Sequence, residues 1–166
     1  MNSTTILTDP VCNMDINNDD IALDYQGTHY AFCSEQCHQR FRDNPHLYIG
    51  YPGSEAPKHA GVEVIKTRVL QLAEPLPQDV ADKVTDTIEA MMGIQHVEIN
   101  GEQIEISYDL LQATEEQIEQ AILDAGAELG DSLVEKIKRA FIHYAEETEA
   151  VTLEARPGPM RGHSHH

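Results

Sequence analysis

Hydrophobic and polar positions divide the chain into two patterned stretches, which are separated by a proline- and glycine-rich segment at residues 50–61. In the first stretch, residues 21–25 and 28–32 have the side chains of short strands and flank Gln26-Gly27, a pair typical of a tight turn. We therefore predict a hairpin here. The segment between the two stretches has the composition of a linker.

A short helix is expected after the hairpin. Ser34 is a typical N-cap residue, and the residues after it favour a helix to about Asp43. Asn44-Pro45 then ends the helix, because a proline disfavours helical geometry in the residue before it. The hairpin and this helix together predict a small N-terminal domain.

The second stretch predicts strand, helix, strand, strand and helix in that order. Asn100-Gly101 is a strong two-residue hairpin signal, and Thr114-x-x-Gln117 has the pattern of a capping box. This order is typical of a ferredoxin-like βαββαβ sandwich of the α+β class. The predicted elements are a strand at 63–72, a helix at 79–92, strands at 97–99 and 104–106, and a helix from 114 that Gly126 closes.

The fourth strand of such a sandwich is poorly defined. Residues 127–129 form only a short candidate, and residues 150–155 alternate and are the other candidate. Between them, Ser132 begins a second capping-box pattern that predicts an extra helix to about Glu147. The apolar side chains expected to face inward from this helix are Leu133, Ile137, Phe141 and Tyr144. The expected limits are 7–49 for the first domain, 50–61 for the linker, 62–155 for the second domain and 156–166 for a flexible tail.

The charge of the chain excludes two classes of partner. Eleven basic and 29 acidic side chains give a net charge of −18, which repels nucleic acids and anionic membrane surfaces and attracts cations and basic proteins. No apolar run approaches the roughly 18 residues of a spanning helix. The first ten residues lack the basic start and apolar run of a secretory signal, so we expect a cytoplasmic protein.

The chain has three cysteines, spaced Cys12-x20-Cys33-x3-Cys37. An odd number of thiols in a reducing compartment favours metal ligation or reactivity over disulfides. Cys33 and Cys37 lie one turn apart at the start of the predicted helix, so their sulfur atoms can converge. Cys12 must approach from the turn at Pro10–Met14, in which Asn13 tolerates a positive φ. We expect the helix N-terminus to lower the thiol pKa and to favour metal-binding thiolates.

The three sulfur ligands narrow the choice of ion. They suit trigonal Cu(I), whereas Zn(II) or Fe(II) favours a fourth ligand. The candidates for that ligand are His38, His29, Met14 and Asp9, and the sequence does not choose among them. The alternative is that the cysteines are buried as small hydrophobic residues. No residue pattern marks a base beside a thiol nucleophile, so we expect no enzymatic activity.

Residues 9–48 resemble a YHS domain, a member of the TRASH-like treble-clef group. Asn13 stands where that family usually has Gly. The resemblance implies metal binding and an occurrence beside copper- and heavy-metal-transport proteins, with Cys12, Cys33 and Cys37 as the implied ligands. It rests on Asp9-Pro10-Val11-Cys12-Asn13-Met14, on Tyr25-x-Gly27-x-x-Tyr30-x-Phe32-Cys33-Ser34-x-x-Cys37, and on Phe41 and Asn44-Pro45-x-x-Tyr48.

Residues 64–129 resemble a heavy-metal-associated (HMA) domain, the fold of copper chaperones and of copper-ATPase N-terminal modules. That family binds metal through GMxCxxC after its first strand, but its cysteine positions fall here near Pro77 and Val80. We therefore expect no Cu(I) binding of that kind, and a role as a docking or dimerisation surface or as a scaffold. The matching positions are Val84, Ile88, Gly93-Ile94, Val97-x-Ile99, Tyr108-Asp109 and Ile118 through Gly126.

Other polar residues give weaker signals. The tail residues His163, His165 and His166 are a weak candidate site for Cu(II), Ni(II) or Zn(II), with a disordered tail as the alternative. Acidic runs such as Thr114-Glu115-Glu116 and Glu146-Glu147 are expected to be solvated helix faces. The isolated histidines expected at the surface or at an edge are His59, His96 and His143.

These observations predict a cytoplasmic protein that binds copper or another heavy metal through its three cysteines. The expected role is sequestration, or delivery by thiolate exchange to a partner such as a copper-transporting P-type ATPase, with Cu(I) as the first choice of ion. The alternative is a regulatory or protein-interaction module whose cysteines hold a structural Zn(II). A homodimer through the second domain is a further expectation.

Overall fold

The computed structural model describes residues 7–155. The chain divides into two compact units. Among the described residues, the N-terminal unit comprises 7–62 together with 150–155, and the C-terminal unit comprises Glu63–Glu149. Helices and strands occur in both units, so the chain belongs to the α+β class. No helix among the described residues is both long and apolar enough to cross a lipid bilayer.

The N-terminal unit contains two small antiparallel strand pairs and two helices. Strand β1 pairs with β2 and β3 pairs with β4. The turn between β3 and β4 is Gln26-Gly27, where both residues have positive φ, so the predicted hairpin is confirmed. The elements are β1 (Leu7–Thr8), β2 (Asp15–Ile16), β3 (Ala22–Tyr25), β4 (Thr28–Ala31), α1 (Glu35–Asp43) and α2 (His46–Ile49).

Helix α1 begins and ends where its sequence predicts. Ser34 is the N-cap, and its hydroxyl accepts a hydrogen bond from the backbone N–H of Cys37 at 3.3 Å. Asn44 is the C-cap. The single turn of α2 follows at once and was not predicted from the pattern.

An aromatic core supports this unit. Phe41 of α1 is fully buried. Its ring centroid lies 4.8–6.1 Å from those of four other aromatic rings, a range at which such pairs stabilise a core. These rings belong to Tyr25, Tyr30, Phe32 and Tyr48. Residues 50–61, for which the sequence predicted a linker, form consecutive turns, and the N–H of Lys58 donates to the carbonyl of Leu47 at 3.0 Å.

The C-terminal unit is built on a three-stranded antiparallel sheet in the order β5-β7-β6. The predicted order of strand, helix, strand, strand and helix is confirmed. The elements are β5 (Ile65–Gln71), α3 (Gln78–Glu89), β6 (Ile94–Asn100), β7 (Gln103–Asp109), α4 (Glu115–Asp124) and α5 (Leu133–Ala155). The last residues of α5, from Ala150, are grouped with the N-terminal unit.

Local signals predicted most of these elements correctly. The capping box of Thr114 and Gln117 is present at the start of α4. The β6–β7 hairpin is present, but Asn100 pairs with Gln103, so its turn is Gly101-Glu102 and not the predicted Asn100-Gly101. Gly101 has a φ of 59° and supplies the positive φ at the first turn position.

The fourth strand is reduced to a single bridge between Leu72 and Leu129. The alternative, a strand at residues 150–155, is wrong because these residues continue α5. Four of these six residues are Ala, Leu or Glu, which favour a helix. The helix that begins at Leu133 therefore continues through this segment despite its alternation.

Helices α3 and α4 close the core of the C-terminal unit with the apolar faces that their spacing predicted. Val84 and Ile88 of α3 and Ile118 and Ile122 of α4 are fully buried. They form one cluster with strand residues such as Ile104. Met91 is partly buried against this cluster, although α3 ends at Glu89 and not at residue 92 as predicted.

Helix α5 faces the other way from the prediction. The four side chains expected to point inward are exposed, with Leu133 at 72% and Phe141 at 68%. The contacts of α5 are polar instead: Glu149 pairs with Lys66 at 2.6 Å, and Glu146 with Arg68 at 3.1 Å. Because both cations lie on β5, carboxylates and not apolar side chains are required opposite them. The four exposed side chains are Leu133, Ile137, Phe141 and Tyr144.

The expectation of solvated acidic runs is also wrong for two residues. Glu115 and Glu146 are buried, with 1% and 3% of their surface exposed, whereas Glu116 and Glu147 are exposed. Glu146 lies among partners, since it accepts hydrogen bonds from the Tyr108 hydroxyl and from the backbone N–H of Glu115. Removal from water and the nearby carboxylates of Glu119 and Glu146 raise the pKa of Glu115 to about 8.

The raised pKa predicts that alkaline pH weakens the C-terminal unit. The folded carboxyl of Glu115 holds its proton up to about pH 8, whereas an unfolded one loses it near its ordinary value of 4.5. The folded state therefore binds more protons between these limits, and stability falls as the pH rises, by at most about 1.4 kcal/mol per pH unit. Glu119, Glu146 and Arg68 interact electrostatically with Glu115, and His143 lies in the same group. Arg139 in turn pairs with Glu119, and Tyr108 with Glu146.

Urea unfolding of the metal-free protein at pH 5.5, 7 and 8.5, followed by circular dichroism, measures this effect. The neutral Glu115→Gln variant should lose much of the decline with pH. Glu116→Gln, which changes an exposed neighbour on the same helix, should retain it. An equal decline in both variants would contradict the assignment to Glu115.

Candidate metal centre

Three separate backbone features direct the cysteines toward one point. Cys12 lies in the turn after β1, and Asn13 beside it has a φ of 65°, as expected for a tight reversal there. Cys33 lies between β4 and the N-cap of α1, and Cys37 lies in the first turn of that helix. The hairpin and the helix cap, both local features, therefore place two of the three thiols.

The sulfur atoms converge as the spacing predicted. The Sγ atom of Cys33 is 3.5 Å from that of Cys12 and 3.7 Å from that of Cys37. Thiolates bound to one tetrahedral zinc ion at about 2.3 Å are roughly 3.8 Å apart, so this spacing is close to that of a metal centre. With a carboxylate oxygen of Asp9, the three sulfurs form a group in which all ligand atoms lie within 4.8 Å of one another.

Asp9 joins the two segments that carry the cysteines. Its side chain is fully buried. One carboxylate oxygen accepts the backbone N–H groups of Val11 at 2.7 Å and Cys12 at 3.2 Å, and the other accepts that of Cys33 at 2.8 Å. Hydrogen bonds to a charged group each stabilise by about 1.5–3 kcal/mol, which offsets the burial of the carboxylate. The first thiol is thereby held beside the second.

The acidity of the thiols differs from the prediction. Burial, a hydrogen bond with Cys33 and the negative charge of Asp9 raise the pKa of Cys12 to about 12. Burial and the charge of Asp9 also raise the pKa of Cys37. The expected lowering of the pKa by the helix N-terminus is therefore wrong for Cys37, because desolvation outweighs it. An ion that binds here must displace protons from Cys12 and Cys37.

The candidates for a fourth ligand separate clearly. His29 is exposed, and its Nδ1 lies 2.5 Å from Oδ1 of Asp24. The Nδ1 of His38 lies 2.6 Å from Oε1 of Glu35. Both imidazoles therefore have other partners, and neither belongs to the cysteine group. Met14 is 45% exposed and lines a surface cavity together with Cys33. Among the described carboxylates and imidazoles, Asp9 is the one that lies with the sulfurs. The sequence signal for Asp9 as the nearby carboxylate was its position three residues before Cys12, in Asp9-Pro10-Val11-Cys12.

The other predicted metal features are not part of this centre. The loop of residues 74–78, where the HMA pattern would place its first thiol, contains no cysteine. His59 is exposed, and His96 lies in an exposed group with Glu98 and Glu105. The tail histidines His163, His165 and His166 lie outside the described residues.

Comparison with known proteins supports the resemblance that the sequence of the N-terminal unit indicated. Residues 7–51, about a quarter of the chain, match the model of the YHS domain family, and the match includes Asp9 and all three cysteines. The resemblance of residues 64–129 to an HMA domain has no family match in its support. No curated protein and no solved structure matched the chain. The N-terminal segment is therefore similar to YHS domains, and its cysteine cluster is consistent with metal binding.

Proposed function

We propose that the protein binds Cu(I) through Cys12, Cys33 and Cys37 and sequesters it or delivers it to a partner. The observation that carries this proposal is the convergence of three sulfur atoms around one point. Both oxygens of Asp9 are already engaged by backbone N–H groups, which favours the three sulfurs as the donor set. Three soft ligands suit Cu(I) in trigonal geometry.

A specific observation also favours Zn(II) as the alternative. The carboxylate of Asp9 lies in the same group as the sulfurs, and each of its oxygens has more than one lone pair. Three thiolates and one carboxylate would complete a tetrahedral site of the kind that structural zinc requires. In that case the N-terminal unit would serve as a regulatory or protein-interaction module.

Delivery of the ion requires access to its ligands. Cys12 and Cys33 are partly exposed, whereas Cys37 is buried, so an incoming thiolate could attack from one side. The acidic chain favours a partner with a basic surface. We propose a copper-transporting P-type ATPase as such a partner in the cytoplasm, with no enzymatic step in the transfer.

The C-terminal unit is best explained as a ferredoxin-like sandwich related to HMA domains. Its sheet order, its two helices and the bridge of Leu72 to Leu129 at the edge of β5 support this proposal. Without a thiol, it would act as a scaffold or as a docking surface, including for a second copy of the chain. The exposed edge strand β6 is available for such pairing.

Replacement of each ligand tests the cysteine site. Cys12→Ser, Cys33→Ser and Cys37→Ser should each lower Cu(I) affinity by more than the roughly 10- to 100-fold loss that follows removal of an outer partner at metal sites. An anaerobic titration of Cu(I) and Zn(II) against a competing chelator measures it. His29→Ala, which changes an exposed imidazole in the same unit, should leave the affinity unchanged. Equal Cu(I) affinity in the wild type and in all three serine variants would show that the cysteines do not bind the ion.

X-ray absorption spectroscopy identifies the atoms that coordinate Cu(I) and those that coordinate Zn(II). The Cu(I) form should show three sulfur neighbours and no oxygen, because Asp9 remains bonded to its N–H groups. The Zn(II) form should show three sulfurs and one oxygen. An oxygen neighbour in the Cu(I) spectrum, or a sulfur count below three, would contradict the proposed donor set.

The folding of the metal-free protein distinguishes a carrier from a structural site. The aromatic core around Phe41 contains no metal ligand, so the N-terminal unit should keep its fold when the metal is removed. Near-ultraviolet circular dichroism with and without a chelator reports on its tyrosines. A structural zinc site predicts the opposite result, the loss of these signals on chelation.

A further inference from the structure

A second group of potential metal ligands lies in the C-terminal unit, apart from the cysteines. Glu115 and Glu119 are four residues apart on α4 and therefore share a face, and His143 of α5 lies opposite them. One ligand atom from each lies within 4.8 Å of the other two. Ligands bound to one tetrahedral ion at about 2.1 Å are roughly 3.4 Å apart, so small side-chain rotations would bring the three atoms to that spacing.

Glu115 is the informative member of this group. It is 1% exposed, and neither of its carboxylate oxygens has a hydrogen-bond donor among the described residues. A buried carboxylate without donors is costly, and native structures rarely contain one. Its carboxylate is directed toward Glu119 and His143 and not toward solvent. The oxygens therefore require a cation or a proton.

The neighbouring buried carboxylate provides a contrast within the same cluster. Glu146 accepts the backbone N–H of Glu115 at 2.8 Å with one oxygen. Its other oxygen accepts the Tyr108 hydroxyl and, at 3.1 Å, the Arg68 guanidinium. The fold thus supplies donors to one buried glutamate and leaves the adjacent one without any. A general shortage of donors in this region does not explain the difference.

The contacts of Glu119 are compatible with an ion. One of its oxygens lies 2.7 Å from Nε2 of His143, and the other lies 3.8 Å from Nε of Arg139. A metal ion bound by both side chains would replace the hydrogen bond between His143 and Glu119. Two carboxylates and a neutral imidazole would balance the charge of a divalent ion, and water would complete its coordination.

We propose that Glu115, Glu119 and His143 form a binding site for one divalent transition-metal ion of the zinc class. The imidazole nitrogen selects such an ion over Mg²⁺ and Ca²⁺, which prefer sites made of oxygen ligands only. The donor set is also harder than three sulfurs and does not suit Cu(I). This site is independent of the proposed cysteine centre.

Cobalt is a suitable probe, because Co²⁺ enters zinc-type sites and absorbs visible light. The parent protein for the experiment is the full chain with Cys12, Cys33 and Cys37 changed to Ser and the tail histidines His163, His165 and His166 changed to Ala. It should bind one equivalent of Co²⁺ with visible d–d bands and without the near-ultraviolet band of a sulfur ligand. Zn²⁺ should displace the Co²⁺ and raise the thermal unfolding midpoint.

Single substitutions in this parent assign the ligands. Glu115→Gln and His143→Ala should each lower Co²⁺ affinity by at least about 10-fold. The matched control is His96→Ala, which removes an imidazole from an exposed group with two glutamates and should change nothing. The same two substitutions are also made in the chain that retains its cysteines, in case the parent folds poorly. There, Glu115→Gln and His143→Ala should each lower the number of bound Zn²⁺ ions by one.

Two results would overturn the proposal. One is the absence of Co²⁺ binding by the parent at millimolar metal, and the other is unchanged binding in both Glu115→Gln and His143→Ala. Either result would mean that Glu115 is a neutral carboxyl that shares a proton with Glu119. Because the parent has no cysteine, neither result bears on the proposed Cu(I) site.

Discussion

The buried carboxylate of Asp9 is the contact on which the cysteine cluster depends. Cys12 and Cys33 are separated by 20 residues, and no helix or hairpin joins their segments directly. Asp9 joins them by accepting the backbone N–H groups of both. Burial, together with the charge of Asp9, explains why the thiols of Cys12 and Cys37 are hard to ionise. Asp9 therefore holds the cluster together and adds to the burial that disfavours the thiolates of Cys12 and Cys37.

The placement of Cys33 and Cys37 was predictable because its determinants are local. The Gln26-Gly27 turn, the Ser34 cap and the spacing of Cys33 and Cys37 each act within a few residues, and each was predicted correctly. The thiol acidity was not predictable in this way. It depends on burial, which a helix N-terminus cannot indicate, and desolvation was the larger effect.

The C-terminal unit shows where sequence patterns mislead. The apolar stripe of α5 indicated a buried face, but α3 and α4 already cover the core, and α5 contacts β5 through carboxylates. The strand contained the missing signal. Lys66, Arg68 and buried Leu70 are spaced two residues apart and therefore share one face of the strand, so both cations lie on the core side and require acidic partners. The alternation of this strand thus favours the glutamates of α5 as its contacts, whereas the prediction had used the apolar residues of α5.

The cysteine group and the glutamate–histidine group offer ligands of different softness, so the two proposed sites would select different ions. The cysteine group combines soft sulfurs with a carboxylate that is already bonded, whereas the glutamate–histidine group combines oxygens without donors and an imidazole. Soft and borderline ions would therefore partition between them by ligand type and not by affinity alone. In both groups desolvation keeps protons on the ligands. Occupancy of either proposed site would thus be coupled to proton release, and a lower pH would oppose metal binding at both.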